Sequence, residues 1–182
     1  MKSDGTVIGR QFLKLPREKD CLNHAVNRIK KAQQHGARKM PRLWARAKGL
    51  NQNIANLTAQ FIIDVAKLYS ANVIVFEHLD LSGKKCGTKK QRLHLWKARG
   101  IQQIVEHKAH QEGMRISRIC AWNTSRLAYD GSGYVQRDQH NYSLCTFQNG
   151  KKYHCDLSAS YNIGARYFIR ELLKSLSATL RL

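Results

Sequence analysis

The spacing of hydrophobic residues changes period several times along the chain, and each change predicts an element. Residues 1–15 open with turn chemistry, Ser3-Asp4-Gly5, and continue with Thr6-Val7-Ile8 and Phe12-Leu13, which predicts a turn followed by a strand. A basic helical pattern then runs from Glu18 to Gln34 and is ended by Gly36 and Pro41. A second helix is expected over 44–70, with Leu50, Ile54, Leu57, Phe61, Val65 and Leu68 as its core-facing stripe. Val73, Ile74, Val75 and Phe76 form a short unbroken apolar run, the pattern of a strand buried on both faces, and Glu77 stands at its C-terminal end. Helical period returns over 95–112, with Trp96, Ile101, Ile104 and Val105 inward and Gly113 just past the cap, and 114–122 reads as a strand. This order of strand, two helices, strand, helix and strand predicts an α/β fold.

Residues 123–153 hold no sustained period and are rich in Gly, Ser, Asn and Tyr, which predicts an insert of loops and short strands. The last element, 156–176, is a helix with Tyr161, Ala165, Phe168, Leu172 and Leu176 on one face and Ile169 and Leu173 beside them. Asp156 opens it, where the free amides and the dipole of the first turn favour a carboxylate.

Charge changes the picture most. Thirty-two Lys and Arg stand against 12 Asp and Glu, a formal net charge of +20. No acid occurs between Asp20 and Asp64, nor between Asp80 and Glu106, and both spans are dense in Lys and Arg. Such density predicts a polyanionic partner, because each phosphate neutralised releases counterions. No stretch reaches the roughly 18 consecutive apolar residues of a membrane span, and the first residues lack the apolar core of a signal peptide. No membrane partner and a cytoplasmic location are therefore expected. The five cysteines are odd in number and scattered, so reduced thiols are expected. Trp96, Tyr129, Tyr134 and Tyr142 are candidates to stack on bases, although Trp96 fits a core equally well and the tyrosines suit the hydrophobic glue of the insert.

Against this basic background two acids stand where secondary structure aims them inward, Glu77 at a strand end and Asp156 at a helix start. The plainer readings are an exposed loop glutamate and a helix cap. Together, in a phosphate-binding protein, they suggest Mg²⁺, which prefers hard oxygen ligands and, as a pair of ions about 4 Å apart, stabilises both oxygens exchanged at a phosphodiester.

The segments VIVFEHLDL (73–81), HKAHQEGMRISRICAWNTS (107–125) and HCDLSASYNIGAR (154–166) resemble, in order and spacing, the second RuvC motif, the connecting segment and the third RuvC motif of the TnpB proteins and type V CRISPR effectors. The resemblance covers roughly residues 3–175. It implies an RNase H-like (RuvC) fold, a core over 1–122, a zinc-ribbon-like insert over 123–153, and the third motif with its helix over 154–182. It implies catalytic, Mg²⁺-binding roles for Glu77 and Asp156, with Ala159, Asn162 and Ile163 completing the aspartate motif. The implied activity is Mg²⁺-dependent cleavage of a target DNA chosen by a guide RNA, in a prokaryotic, nucleoid-associated setting. Base pairing then reads the sequence while the protein grips the backbone. The residues expected to do so are Arg38, Lys39, Arg42, Arg46, Lys48, Lys84, Lys85, Lys89, Lys90 and Arg92.

Two departures qualify the match. The family's first motif, a strand ending in an aspartate, belongs just ahead of SDGTVIG, where only Met1 and Lys2 stand, and Asp4 belongs to the turn. The expectation is a RuvC fold lacking its first strand, with a second polypeptide supplying that strand, its aspartate and the guide-binding lobes. The family's zinc ribbon is also degenerate. A closed zinc site takes four ligands, commonly two CxxC pairs, but the first pair falls on Ala128 and on Gly131 or Ser132, and the second keeps Cys145 with Gln148 three residues on. Cys145, Cys155, His154 and His140 remain for an irregular site, with Cys145 the residual ligand, and bound zinc is not expected. The lost zinc ligands motivate an alternative, a non-cleaving RNA-guided DNA-binding module. A generic basic RNA-binding protein would leave the motif order to coincidence.

Overall fold

In the computed structural model, which describes residues 1–78 and 97–179, the first two helices each begin on a proline: α1 spans Pro16–Gln34 and α2 Pro41–Leu68. Proline suits the first helical position, where its fixed φ is already helical and its missing N–H costs nothing. Helix α3 spans Ala98–Gln111. All three end in a left-handed residue, Gly36 (φ 82°), Ser70 (φ 49°) and Gly113 (φ 72°), with paired amide-to-carbonyl bonds such as Gly113 N to His110 O at 3.1 Å and Met114 N to Ala109 O at 2.8 Å. The two glycines stand where the sequence predicts them. Ser70 does the same work with a side chain that dislikes that conformation.

The chain divides into two compact units, one holding residues 10–72 and 97–115, the other 1–9, 73–78 and 116–179. In the first unit α1 and α3 both pack on α2. The buried positions of α2 are Ala47, Asn51, Ala55, Ala59, Ile63 and Ala66, whereas Leu57 and Leu68, expected in the core, are 38% and 66% exposed. Alanines spaced by four let neighbouring helices approach closely, and the larger Leu50, Ile54, Phe61 and Val65 are left half-buried on the flanks. The basic N-terminal half of α2 is packed too: Ala25 and Ile29 of α1 bury against Ala47, with Leu22, Leu43, Trp44 and Leu50 around them.

In the second unit β1 (Val73–His78) and β2 (Arg115–Cys120, whose first residue belongs to the other unit) form a two-stranded sheet, and the last helix, α4 (Cys155–Thr179), packs against β1. Strand β1 is half-buried from Val73 to Glu77 rather than buried on both faces, because among the described residues it has one neighbouring strand. Arg115 N–H donates to Asn72 O at 2.9 Å, so by strand alternation the carbonyls of Arg118 and Cys120 face the opposite edge. There they accept from Arg170 Nη1 and Arg166 Nη1 of α4, each at 2.9 Å. Arginine side chains thus cap the outer edge of β2.

The turn expected at Ser3–Gly5 is present: Thr6 N–H donates to Asp4 Oδ1 at 2.8 Å, and this bond holds the Asp4 carboxyl below its ordinary range. The strand expected after it does not form: Lys2 N–H donates to Thr6 O at 2.9 Å to close the turn, and residues 7–13 join no sheet among the described residues. The insert folds as expected into short strands, β3 (Gln136–Arg137), β4 (Leu144–Thr146) and β5 (Lys152–His154), paired antiparallel in the order β3-β4-β5. Ala128, Cys145, Phe147 and Cys155 are buried there beneath Tyr129, Val135 and Tyr153. No described helix is long and apolar enough to cross a membrane.

Candidate active site

Glu77 is the fifth residue of β1 and is half-buried. Its Oε1 accepts a short hydrogen bond from the hydroxyl of Thr124, a side chain only 2% exposed in the turn after β2. That turn is in turn held by α4. Asn162 Nδ2 donates to the carbonyls of Thr124 (2.9 Å) and Leu127 (2.8 Å), which uses both amide hydrogens. One turn earlier, Ser158 Oγ donates to Leu127 O at 3.3 Å and accepts from Tyr129 N at 3.2 Å. A chain of hydrogen bonds therefore runs from Glu77 through Thr124 to the helix that carries Asp156.

Helix α4 opens at Cys155, so Asp156 sits within the first turn rather than capping it, and the cap is His154, whose Nδ1 accepts from Asp156 N at 3.3 Å. Released from capping, the Asp156 carboxylate is exposed and has no hydrogen-bond partner among the described residues. Of the residues attached to it by resemblance, Ala159 is buried, Ile163 is half-buried, and Asn162 is the clamp just described. Sequence reasoning missed Thr124 and Ser158, since a Thr or Ser in a loop is ordinarily a surface residue, and their burial with polar partners appears only in three dimensions.

Of the soft-ligand candidates, Cys145 and Cys155 lie side by side, without a third ligand among the described residues. Among the described residues no group of three or more His, Cys, Asp or Glu is placed to hold a metal. Cys145 is buried and its Sγ donates to Tyr153 O at 3.4 Å, while His140 is exposed and His154 caps α4. Burial, with the Cys155 thiol beside it, pushes the Cys145 thiol up to about 11. Where a ribbon would place zinc, Tyr129 meets Phe147, Tyr153 and Tyr161 at ring separations of 5.6, 5.1 and 5.0 Å. Tyr129 is thereby glue, as its alternative reading had it, and Tyr134 and Tyr142 are exposed.

Arg38 and Lys39 lie in the connection between α1 and α2, and Arg42, Arg46 and Lys48 on the first turns of α2. All five are exposed, and none forms an ion pair with a described residue. Lys84, Lys85, Lys89, Lys90, Arg92 and Trp96 lie outside the described residues.

No family model matches the chain. Its sequence is 27% identical over 169 residues to a TnpB-like protein of Aquifex aeolicus, covering 85% of this chain and 54% of that protein. Its fold is similar to that of a Cas12f1 protein seen by cryo-EM in a complex with sgRNA and target DNA, with a TM-score of 0.66 at 17% identity, covering 86% of this chain and 44% of that one. The chain thus spans about half the length of the relatives it matches. The motif order read from the sequence points the same way as these two comparisons: the chain is similar in sequence to a TnpB-like protein and in fold to a Cas12f1 protein.

Proposed function

We propose that the chain is the RuvC-like nuclease portion of an RNA-guided DNA-targeting effector, with an RNase H-like core and Glu77 and Asp156 as metal-binding catalytic carboxylates. The observation that carries this reading is the hydrogen-bonded frame from Glu77 through Thr124 and Asn162 to the helix displaying an exposed Asp156, unpaired among the described residues. Two carboxylates and little else fit Mg²⁺, which keeps several of its waters and takes only one or two protein oxygens. When bound, the ions supply charge stabilisation at the phosphodiester. Glu77 and Asp156 would hold them, and Thr124 fixes the orientation of Glu77 by occupying one of its oxygens.

The edge of β1 away from β2 pairs with no strand among the described residues, whereas the outer edge of β2 is capped by Arg166 and Arg170. This asymmetry supports completion of the sheet by a further strand, which we take to bear the first aspartate and to come from a separate polypeptide that also carries the guide-binding lobes. Guide RNA and target DNA, the partners of the Cas12f1 protein of similar fold, suit the exposed cations on α2. The chain assembled with such a polypeptide, guide RNA and Mg²⁺ is expected to cut matched DNA, and Asp156→Ala to abolish cutting. Equal cutting by the Asp156→Ala assembly would sink the proposal, and guide-directed binding with no cutting by the wild type would make the chain a binding module.

Zinc does not fit the insert, because among the described residues no group of three or more His, Cys, Asp or Glu is placed to hold it and Cys145 lies in an apolar cluster. Thermal melting with and without a zinc chelator should therefore coincide; a drop of about 5 °C or more, the size a structural metal's loss produces, would show a bound ion.

A further inference from the structure

Trp122 is 71% exposed and Tyr134 57% exposed, although a side chain of this size is normally placed where it buries area. Both are tied to the Glu77 site. Between Trp122 and Thr124 stands Asn123, in the left-handed region at φ 57°, which reverses the chain direction. On one side of Asn123 the Thr124 side chain is buried and donates to Glu77; on the other the indole of Trp122 stands in solvent. The Asn123 amide in turn donates to the Tyr134 hydroxyl at 3.4 Å. No acid lies between Glu112 and Asp130, while Arg126 and Arg137 are exposed nearby in sequence.

An exposed aromatic face two residues from the threonine that binds the Glu77 carboxylate, in a segment carrying exposed arginines, is suited to the face of an unpaired base. Base–aromatic stacking needs a free π-face, which a single strand offers and a duplex, whose bases are stacked on each other, does not. We infer that Trp122, assisted by Tyr134, is a stacking platform that seats one base of a single strand and so positions the adjoining phosphodiester at Glu77. Trp122 is a positioning residue, and it selects single-stranded over double-stranded nucleic acid. The inference rests on reading Glu77 as part of a nuclease site, but it concerns binding and is tested without cleavage.

The test uses the full chain in EDTA with a labelled oligothymidylate and a duplex of equal length. Trp122→Ala should weaken binding of the single strand by about tenfold or more and leave duplex affinity, which the cations supply, within about twofold. Trp122→Phe, which keeps a π-face, should recover most of the loss, and the tryptophan fluorescence quenched by the single strand in the wild type should be missing from Trp122→Ala. Because the indole is in solvent, the melting temperature serves as a control for folding. Single-strand affinity unchanged in Trp122→Ala, or an equal loss for both ligands, overturns the inference, as does a Trp122 required only for capture of the complementary polypeptide. A Trp122 effect that persists in an assembly unable to cut would remove the nuclease reading and leave the platform standing.

Discussion

A Glu77→Gln chain, assembled with the polypeptide, guide RNA and Mg²⁺ proposed to complete it, should cut DNA at least about 10³-fold more slowly than the wild type and melt within about 2 °C of it. The substitution preserves shape, and the Gln carbonyl oxygen still accepts the Thr124 hydroxyl. What it removes is the negative charge that holds a divalent cation, whose stabilisation of the transition state is several kcal/mol, and each 1.4 kcal/mol is tenfold in rate. Glu77→Ala is a poorer test. It would also empty the half-buried place of the Glu77 side chain and leave the Thr124 hydroxyl only Ala121 O, at 3.1 Å, as acceptor, mixing a structural change with the catalytic loss. Rates measured at saturating Mg²⁺, alongside a melting curve, separate the two effects. A Glu77→Gln assembly cutting within tenfold of the wild type would mean that Glu77 holds no metal.

Asn162→Leu should destabilise the chain by about 2–4 kcal/mol, a fall in melting temperature of about 5–15 °C at this size. Both hydrogens of its amide are committed, one to Thr124 O and one to Leu127 O. Leucine donates to neither carbonyl: Thr124 O loses this donor, at about 1–3 kcal/mol where water does not reach it, while Leu127 O keeps only the longer bond from Ser158 Oγ at 3.3 Å. Asn162→Asp should be worse still, since it sets carboxylate oxygens against two carbonyls. Cutting should fall with stability, because the turn that presents Thr124 to Glu77 loses its tie to α4. A shift below about 2 °C for Asn162→Leu would show that water replaces the amide at no cost.

These two residues also mark how far the sequence is legible. Glu77 could be located because an unbroken apolar run ends on it, and a run of that length and composition is a local property. Asn162 could be singled out only by resemblance, and its work, donating to carbonyls 38 and 35 residues away, has no local signature. The same division separates the helix ends from the helix faces. Gly36 and Gly113 were readable as stops because the left-handed conformation is a property of the residue itself. The stripe on α2 was misread because leucine and phenylalanine outweigh alanine in any hydrophobicity pattern. Burial there is decided by how closely α1 and α3 approach, and small side chains permit the closest approach.

What the sequence determined by itself was the alternation of helices and strands from residue 16 onward, the helix boundaries to within a few residues, the cation density that predicts a polyanionic partner and the two acids most worth testing, all of which follow from periodicity, backbone preference and charge, each a property of nearby residues. The tertiary structure alone decided that α2 packs through alanines, that aromatic rings pack around Tyr129 in the insert, that arginines cap one edge of the sheet, and that Thr124 and Asn162 link Glu77 to the helix of Asp156. Those are contacts between residues far apart in the chain, and which groups meet depends on how closely whole elements pack, a quantity that no local pattern encodes.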